Sequence, residues 1–460
     1  MAGIFGTDGV RARINTGAMR AESVVRLALA AGRWFVDHND KNDGTAPLVV
    51  IGKDTRLSGY MLEAALVAGF SSIGMECRLL GPIPTATVSL MTKELGAHLG
   101  VMISASHNPF HDNGIKLFGP DGKKLADEIE NDISSLMQGS IALAEAEQMG
   151  RVRRILDSHQ KYRQFACDST GGGKPFTGLK IVTDCAHGAA YITAPDTLRA
   201  LGAEVVALFN EPDGLNINEG CGAVHPKVMA QAVIDEGADL GIALDGDADR
   251  LIIADETGHI HDGDKVLGAI ATAMHQAGTL RGAVVGTLMT NLGLERYLQS
   301  LNIPFARAKV GDRYILQMLD GKDDNCPQGG NLGGEGSGHI LMPDIIASGD
   351  GLMAALQLVT SKIKQDIPMS AVLNLYDSVP MRLENLKDMD KSILDDEAII
   401  SLCQSLTDDF AGEGRILLRP SGTEPLIRVM VEATDKNKLD AAMAELISAL
   451  TQANQALKSA

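Results

Sequence analysis

The chain is poor in the features that would place it outside the cell or in a membrane. It holds only 6 cysteines in 460 residues. Cys77, Cys167, Cys185, Cys221, Cys326 and Cys403 are scattered without CxxC spacing. That distribution excludes a disulfide framework or a zinc site and points to reduced cytosolic thiols. No apolar run reaches transmembrane length, and Met1-Ala2-Gly3-Ile4-Phe5-Gly6 leads straight into polar residues without a secretory pattern. The expectation is a cytoplasmic protein. Basic residues are outnumbered, 41 against 59 acidic, for a net charge of −18. This argues against nucleic acid or an anionic membrane as a partner, although locally converging cations still suit an anionic small molecule. No GxSxG elbow suggests an acyl-transfer hydrolase, and no GxGxxG follows a strand to suggest a dinucleotide. The segment Gly171-Gly172-Gly173-Lys174-Pro175 is a turn-rich loop and not a Walker A motif, because Pro175 stands where Ser or Thr must bind Mg²⁺.

What is present begins with composition. The chain is 45% hydrophobic and 22% charged, as expected of a globular protein, and long enough for several domains. Its densest chemical signal is Asp245-Gly246-Asp247-Ala248-Asp249-Arg250, set between the apolar runs Leu240–Leu244 and Leu251–Ala254. Two strands therefore bracket a tight acidic loop. Three carboxylates that close repel one another, and oxygen-rich clusters of this kind suit Mg²⁺ or Ca²⁺. Such a stretch taken alone also fits a solvated acidic turn. An EF-hand would start at Asp245 and place Glu256 at its twelfth position, but Arg250 occupies the sixth, where glycine is needed.

Strand-like and helical runs alternate over the first three quarters. The spacing predicts strands at 48–51, 76–80, 99–104, 179–184, 204–208, 239–244, 283–287 and 304–308. Helices are predicted at 61–70, 87–95, 189–201, 226–236, 264–276 and 292–301. Such alternation indicates α/β layers, with sites beyond the carboxyl ends of strands. Three rounds of roughly 100 residues read as weak repeats, each with one unusual loop. The loops are Ser104-Ala105-Ser106-His107-Asn108-Pro109, the acidic stretch, and Gly333-Gly334-Glu335-Gly336-Ser337-Gly338-His339. The tail from about residue 370 reads as a smaller α+β domain, with helices at 395–406 and 436–450 and strands at 415–418 and 426–433.

Each loop offers chemistry. Ser106 sits beside His107 in a segment that Pro109 constrains, and a hydroxyl next to an imidazole can be a nucleophile. Glu335, Ser337 and His339 lie among glycines that let backbone approach a ligand, and they can pair with sugar-like hydroxyls; a flexible glycine loop is the plainer reading. Arg419-Pro420-Ser421-Gly422-Thr423-Glu424-Pro425, with Arg428 on the next strand, combines two guanidiniums, two hydroxyls and a free Gly422 N–H, a set that suits phosphate.

Taken together, these stretches resemble the α-D-phosphohexomutase family. The matching segments are Gly6-Thr7-Asp8-Gly9-Val10-Arg11, the SASHNP run, Asn113-Gly114-Ile115-Lys116, the DGDADR loop, the GGEGSGH loop and RPSGTEPLIR ending at Arg428. They stand in family order across nearly the whole chain. Asp213-Gly214-Leu215-Asn216-Ile217-Asn218 with Cys221-Gly222, Met289–Leu294 and Val310-Gly311-Asp312-Arg313-Tyr314 lean toward the branch acting on glucosamine phosphates. Two positions depart from the family pattern. Ser104 stands where threonine is frequent and keeps a hydroxyl. Ala248 stands where glycine is frequent, so the loop should not use a glycine-only dihedral there.

The resemblance implies three α/β/α layered domains of related topology plus a smaller C-terminal α+β domain around a central cleft, at residues 1–157, 158–256, 257–369 and 370–460. It implies that Ser106 is a phosphoserine and that Ser106, Asp245, Asp247 and Asp249 hold one Mg²⁺. Phospho-Ser106 would interconvert glucosamine 6-phosphate and glucosamine 1-phosphate through a bisphosphate, for cell-wall amino-sugar nucleotides. Arg11, Lys116 and Arg250 would neutralise the moving phosphoryl, with His107 or Lys116 as acid/base. Glu335, Ser337, His339 and Arg313 would contact the sugar. Arg419, Ser421, Gly422, Thr423 and Arg428 would hold the phosphate that is not reacting. Glucosamine or glucose 1,6-bisphosphate is the implied activator, and the chain would be a monomer or homodimer. Two other functions fit the same loops: a mutase of glucose or mannose phosphates, and a non-catalytic metal or phosphosugar sensor.

Overall fold

A computed structural model describes residues 4–6, 9–38, 46–420 and 426–459. By its internal contacts the chain divides into two compact units, Met1–Thr287 with Ile303–Leu375, and Leu288–Asn302 with Tyr376–Ala460.

The larger unit holds three mixed sheets. The first contains β1 (Val10–Arg13), β2 (Leu48–Lys53), β3 (Glu76–Pro82), β4 (Leu99–Ile103), β5 (Asp112–Phe118) and β6 (Val152–Arg154), in the order β1-β5-β4-β2-β3-β6. The second contains β7 (Lys180–Asp184), β8 (Glu204–Leu208), β9 (Leu240–Leu244), β10 (Leu251–Asp255) and β11 (Ile260–His261), in the order β11-β10-β9-β7-β8. The third contains β12 (Val284–Thr287), β13 (Phe305–Ala308), β14 (Leu332–Gly334) and β15 (Ile340–Leu341), in the order β13-β12-β14-β15.

One device recurs in all three. A parallel core ends in a strand, β4, β9 or β14, that turns back on itself as an antiparallel hairpin with β5, β10 or β15. The three hairpin connections are the three unusual loops of the sequence. Their strands are legible because both faces are covered: every residue of β4, β9 and β10 is buried, which demands near-continuous apolar runs. The helices Ala21–Asp37 and Gly59–Ser72 seal the first sheet, with Val24, Leu27, Leu62, Leu66 and Phe70 in one core.

Two expected helices differ in extent. The helix expected from Ala189 starts at Thr193; the residues before it form turns, with Tyr191 N donating to Gly188 O (3.2 Å), and Ala189 N donates to Gly246 O (2.8 Å), where it holds the acidic loop. The last helix runs Lys436–Ser459, well past Leu450.

The smaller unit is a three-stranded antiparallel sheet of β16 (Met381–Lys387), β17 (Gly414–Pro420) and β18 (Leu426–Ala433), with β18 central. Ile427, Val429 and Val431 alternate along β18 and meet Leu439, Met443 and Leu446 of the last helix. The helix Leu292–Ser300 belongs to this unit: Leu292 N donates to Glu432 Oε1 (2.7 Å), and Arg415 joins Glu432 Oε2 (2.6 Å) to the carbonyls of Leu288 and Thr290. All six cysteines are free. Among the described residues no helix is long and apolar enough to cross a membrane.

Candidate active site

The β4–β5 connection carries Ser106, buried at 1% exposure and held at φ 52°. A residue with a Cβ pays about 1–2 kcal/mol for that left-handed backbone, so its surroundings must hold it there. They do so from both sides. Ser106 N donates to Ser104 Oγ (2.9 Å), and Ser104 Oγ donates to Asp54 Oδ2 (2.7 Å). Asp54 pairs with Arg56 Nε (2.8 Å), and the fully buried Arg56 guanidinium donates to the carbonyls of Ser106 (2.9 Å), Asn108 (2.8 Å), Pro109 (2.5 Å) and Asp112 (3.1 Å). One ion pair thus fixes the whole loop. The hydroxyl of Ser104 has a defined task, which threonine could also perform.

The β9–β10 connection brings the acidic residues to Ser106. Ser106 Oγ donates to Asp245 Oδ2 at 2.6 Å. Asp245, Asp247 and Asp249 are all buried, and they offer ligand oxygens within 4.8 Å of one another. Lys116, on β5, donates to Asp247 Oδ2 (2.8 Å) and Asp249 Oδ2 (3.0 Å). Thr85, at the start of the helix Thr85–Glu94, donates its hydroxyl to the same Asp247 oxygen (2.6 Å) and its N–H to Asp247 O (3.0 Å). Among the described residues Asp247 Oδ1 and Asp249 Oδ1 are buried without a hydrogen bond, although Asp249 Oδ1 has His339 and Arg250 nearby. Three hard carboxylate donors this close together fit a divalent cation. Ala248 sits at φ 61°, in the left-handed region that glycine favours and alanine can also adopt, so the dihedral is not glycine-only.

Electrostatics separates the three carboxylates. Burial, with Asp249 and Asp247 alongside, pushes Asp245 up to about 7. Burial also opposes the charge of Asp249, but Lys116, His339 and Arg250 outweigh it and hold that carboxyl well below the usual range. Arg250 Nε lies 4.0 Å from Asp245 and 3.9 Å from Asp249. His107 Nδ1 stands 3.4 Å from Ser106 Oγ. Burial, with the charges of Arg250 and Arg11 nearby, pushes its imidazole down to about 4, so at neutral pH it is an uncharged acceptor.

The β14–β15 connection completes the convergence. Leu251 N donates to Gly338 O (3.0 Å), and Arg250 bridges His339 in an antiparallel pair. His339 is buried between Asp249 (3.6 Å) and Asp312 (3.4 Å). Burial disfavours its charge, yet the two carboxylates lift it to about 10. Glu335 accepts from Gly311 N (2.9 Å) and from Ser337 Oγ (3.2 Å), and its charge is felt at Arg250. Arg313 pairs with Glu130 (2.8 Å) and Asp127, and it lines a recess of about 400 Å³ with Gly311 and Tyr314.

In the smaller unit, Arg419 and Arg428 face each other across β17 and β18. Ser421, Gly422 and Thr423 lie outside the described residues. Thr85, Asp54, Arg56 and Asn218 are the site-building residues that sequence patterns did not single out for chemistry. Asp54-Thr55-Arg56, following a buried strand's carboxyl end, is the one local signal among them.

Comparison with known proteins agrees with this architecture. The phosphoglucomutase/phosphomannomutase family matches in four parts: alpha/beta/alpha domain I at residues 2–142, domain II at 163–258, domain III at 262–379 and the C-terminal domain at 381–449. The phosphoglucosamine mutase of Phenylobacterium zucineum is 48% identical over 450 residues, covering 97% of this chain and 98% of that one. A phosphoglucomutase/phosphomannomutase family protein of Burkholderia thailandensis shares the fold at TM-score 0.80 and 22% identity, over 98% of this chain and 97% of that one. The N-acetylphosphoglucosamine mutase of Aspergillus fumigatus, solved with GlcNAc-6P and magnesium, shares it at TM-score 0.67 and 17% identity, over 98% and 96%.

Proposed function

The chain belongs to the phosphoglucomutase/phosphomannomutase family, and from that premise we propose that it interconverts glucosamine 6-phosphate and glucosamine 1-phosphate through a phosphorylated Ser106. The observation that carries this reading is the 2.6 Å contact between Ser106 Oγ and a buried carboxylate triad balanced by Lys116. A phosphoryl carrier needs such a surrounding, because positioning and charge neutralisation supply most of the acceleration in phosphoryl transfer.

Phospho-Ser106 gives its phosphoryl to the anomeric oxygen of glucosamine 6-phosphate: the new O–P bond forms as the Ser106 Oγ–P bond breaks, and the proton of that hydroxyl passes to the neutral His107, which returns it to Ser106 Oγ 3.4 Å away. The bisphosphate turns end for end. Its 6-phosphoryl returns to Ser106 Oγ, the Ser106 proton passes through the same imidazole to the freed 6-oxygen, and glucosamine 1-phosphate leaves. The charge on Lys116 is already committed to Asp247 and Asp249, which suits a neutraliser better than a base. Arg11 and Arg250 flank His107 and act on the same moving charge. Asp245, Asp247, Asp249 and a phosphate oxygen on Ser106 would hold one Mg²⁺, which supplies positive charge against the phosphoryl oxygens. Glu335, Ser337, His339 and Arg313 serve the sugar. Arg419 and Arg428, with Ser421, Gly422 and Thr423, serve the non-reacting phosphate. A glucosamine or glucose 1,6-bisphosphate primes Ser106. Boundaries near residues 157, 256 and 369 give each loop its own domain, and the protein works in the cytoplasm as a monomer or homodimer.

Initial rates with glucosamine 6-phosphate, glucose 1-phosphate and mannose 1-phosphate test the reading, beside the intact mass of the purified chain. The expected result is one phosphate on Ser106 and the highest kcat/KM for glucosamine 6-phosphate. Preference for glucose or mannose phosphate would shift the substrate assignment. A chain with neither phosphate nor turnover would leave only a binding protein.

A further inference from the structure

The stretch Asp213–Cys221 has no part in the reaction as described, yet Asn218 reaches the loop that carries Ser106. Its backbone is fixed from the second sheet. Asp184, the last residue of β7, accepts from Ala186 N (2.9 Å) and Gly222 N (2.8 Å), and Ala186 O accepts from Asn218 N (2.9 Å). The Asn218 side chain then crosses to the first sheet's loop, where Nδ2 donates to Ser106 O (2.9 Å) and Asn108 O (3.2 Å). Both partners are carbonyls, which settles the orientation of the amide. Arg56 donates to the same two carbonyls from within the first domain. Gly246 of the acidic loop packs at the same point: a Cβ there would stand 2.5 Å from Ser106 O and 2.8 Å from Asn218 Nδ2. The Ser106 carbonyl, the Asn218 amide and the acidic loop therefore touch one another.

We propose that Asn218 is a positioning residue that sets the placement of the Ser106 loop relative to Asp245, Asp247 and Asp249. This rests on the reading of Ser106 as phosphoryl carrier. Ser106 belongs to one sheet and the acidic loop to another; Lys116 and Thr85 tie the acidic side chains to the first sheet, and Asn218 adds a tie from the second sheet to the backbone carbonyls of the Ser106 loop. A neutral amide makes that link without adding charge to a cluster whose carboxylates already have Lys116 and Arg250 beside them. Side chains that orient a reacting group in this way act through geometry and not through contact with the substrate.

The test compares the full chain with Asn218→Asp, which sets a carboxylate against two carbonyls at nearly unchanged volume, and with Asn218→Ser, a shorter neutral donor. Each chain is first dephosphorylated, as its intact mass verifies; glucose 1,6-bisphosphate with Mg²⁺ is then the probe, and the gain of phosphate on Ser106 is followed by intact mass. Asn218→Asp is expected to take up phosphate at least roughly tenfold more slowly, with kcat reduced alike and KM for glucosamine 6-phosphate within about twofold. Asn218→Ser is expected to fall between, with a modest drop in unfolding temperature, because Asn218 is buried at φ 59°, where serine is less favoured than asparagine. If Asn218→Asp does not fold, Asn218→Ser carries the comparison. Parental phosphorylation rates in the folded variants would overturn the proposal, as would a loss of rate that only tracks the loss of folded protein. A parent chain that takes no phosphate would overturn the assignment of Ser106 itself, a result distinguishable because the variants are compared with that parent.

Discussion

Thr85→Val removes one hydroxyl from the cluster and leaves its shape unchanged. Thr85 is 2% exposed, and its hydroxyl donates at 2.6 Å to Asp247 Oδ2, the oxygen that also receives Lys116 at 2.8 Å. Together the two donors commit Oδ2 and, among the described residues, leave Oδ1 buried without a hydrogen bond. Hydroxyl and ammonium together would therefore set which oxygen is left for a cation. A hydrogen bond to a charged group contributes about 1.5–3 kcal/mol. Lys116 still holds the carboxylate in the variant, so the orientation should loosen without being lost, which places the effect at the lower end. Outer-shell partners of metal ligands typically cost about 10–100-fold in affinity or activity when removed. We expect the Mg²⁺ concentration for half-maximal activity to rise by roughly tenfold, since 1.4 kcal/mol is about one decade. Activation curves of parent and variant, with calorimetric Mg²⁺ titration of both, give the measurement. An unchanged Mg²⁺ midpoint in a folded variant would mean that Asp247 is oriented by Lys116 alone and that the hydroxyl is incidental.

Ser106→Ala should abolish turnover and phosphate uptake while the chain stays folded, with near-parental rates counting against the carrier assignment. Ser104→Ala should be milder in rate but not silent, because it removes the hydroxyl that accepts from Ser106 N at 2.9 Å; the unfolding temperature would register this. As a ligand Asp245 would have to be ionised, and burial, with Asp249 and Asp247 alongside, pushes it up to about 7. Mg²⁺ affinity should therefore be flat above that pH and weaken by up to roughly tenfold per unit below it, so a flat profile down to pH 5 would refute the coupling. Arg419→Ala should lower kcat/KM by roughly tenfold or more through the loss of a charge-assisted contact, with Ser106 still phosphorylated; unchanged efficiency would place the distal phosphate elsewhere.

Much of the fold was legible because its central strands announce themselves. Leu240–Leu244 and Leu251–Asp255 are buried throughout, and a run covered on both faces has no polar positions to confuse the pattern. Asp112–Phe118 went unassigned for the opposite reason. It opens with Asp-Asn-Gly, a turn-like composition, and carries a lysine in its middle. Only pairing with Leu99–Ile103 and Val10–Arg13, and the burial of Lys116 against two aspartates, makes it a strand. The helix expected from Ala189 begins only at Thr193, after turns whose Ala189 N–H donates to Gly246 O, a partner 57 positions away that no local propensity can register.

The site divides along the same line. Ser106, the three aspartates and the glycine-rich loop each sit in a short contiguous stretch, because a hairpin connection at a strand's end is where chemistry can stand clear of the sheet. The residues that give those loops their geometry lie far off in sequence: Thr85 is 162 positions from Asp247, Asn218 is 112 from Ser106 and Arg56 is 50 from it. Each contributes a plain hydrogen bond, a kind of contact that composition and spacing do not encode. The alanine at 248 teaches the same lesson from the other side. Its residue type argued only against a glycine-only dihedral and said nothing of the left-handed turn it makes, where Ala248 O accepts from Gly351 N (2.9 Å) and Ala248 N donates to Asp245 O (2.9 Å), and these two bonds hold it at φ 61°. A local preference of about 1–2 kcal/mol yields wherever the tertiary contacts around it are worth more.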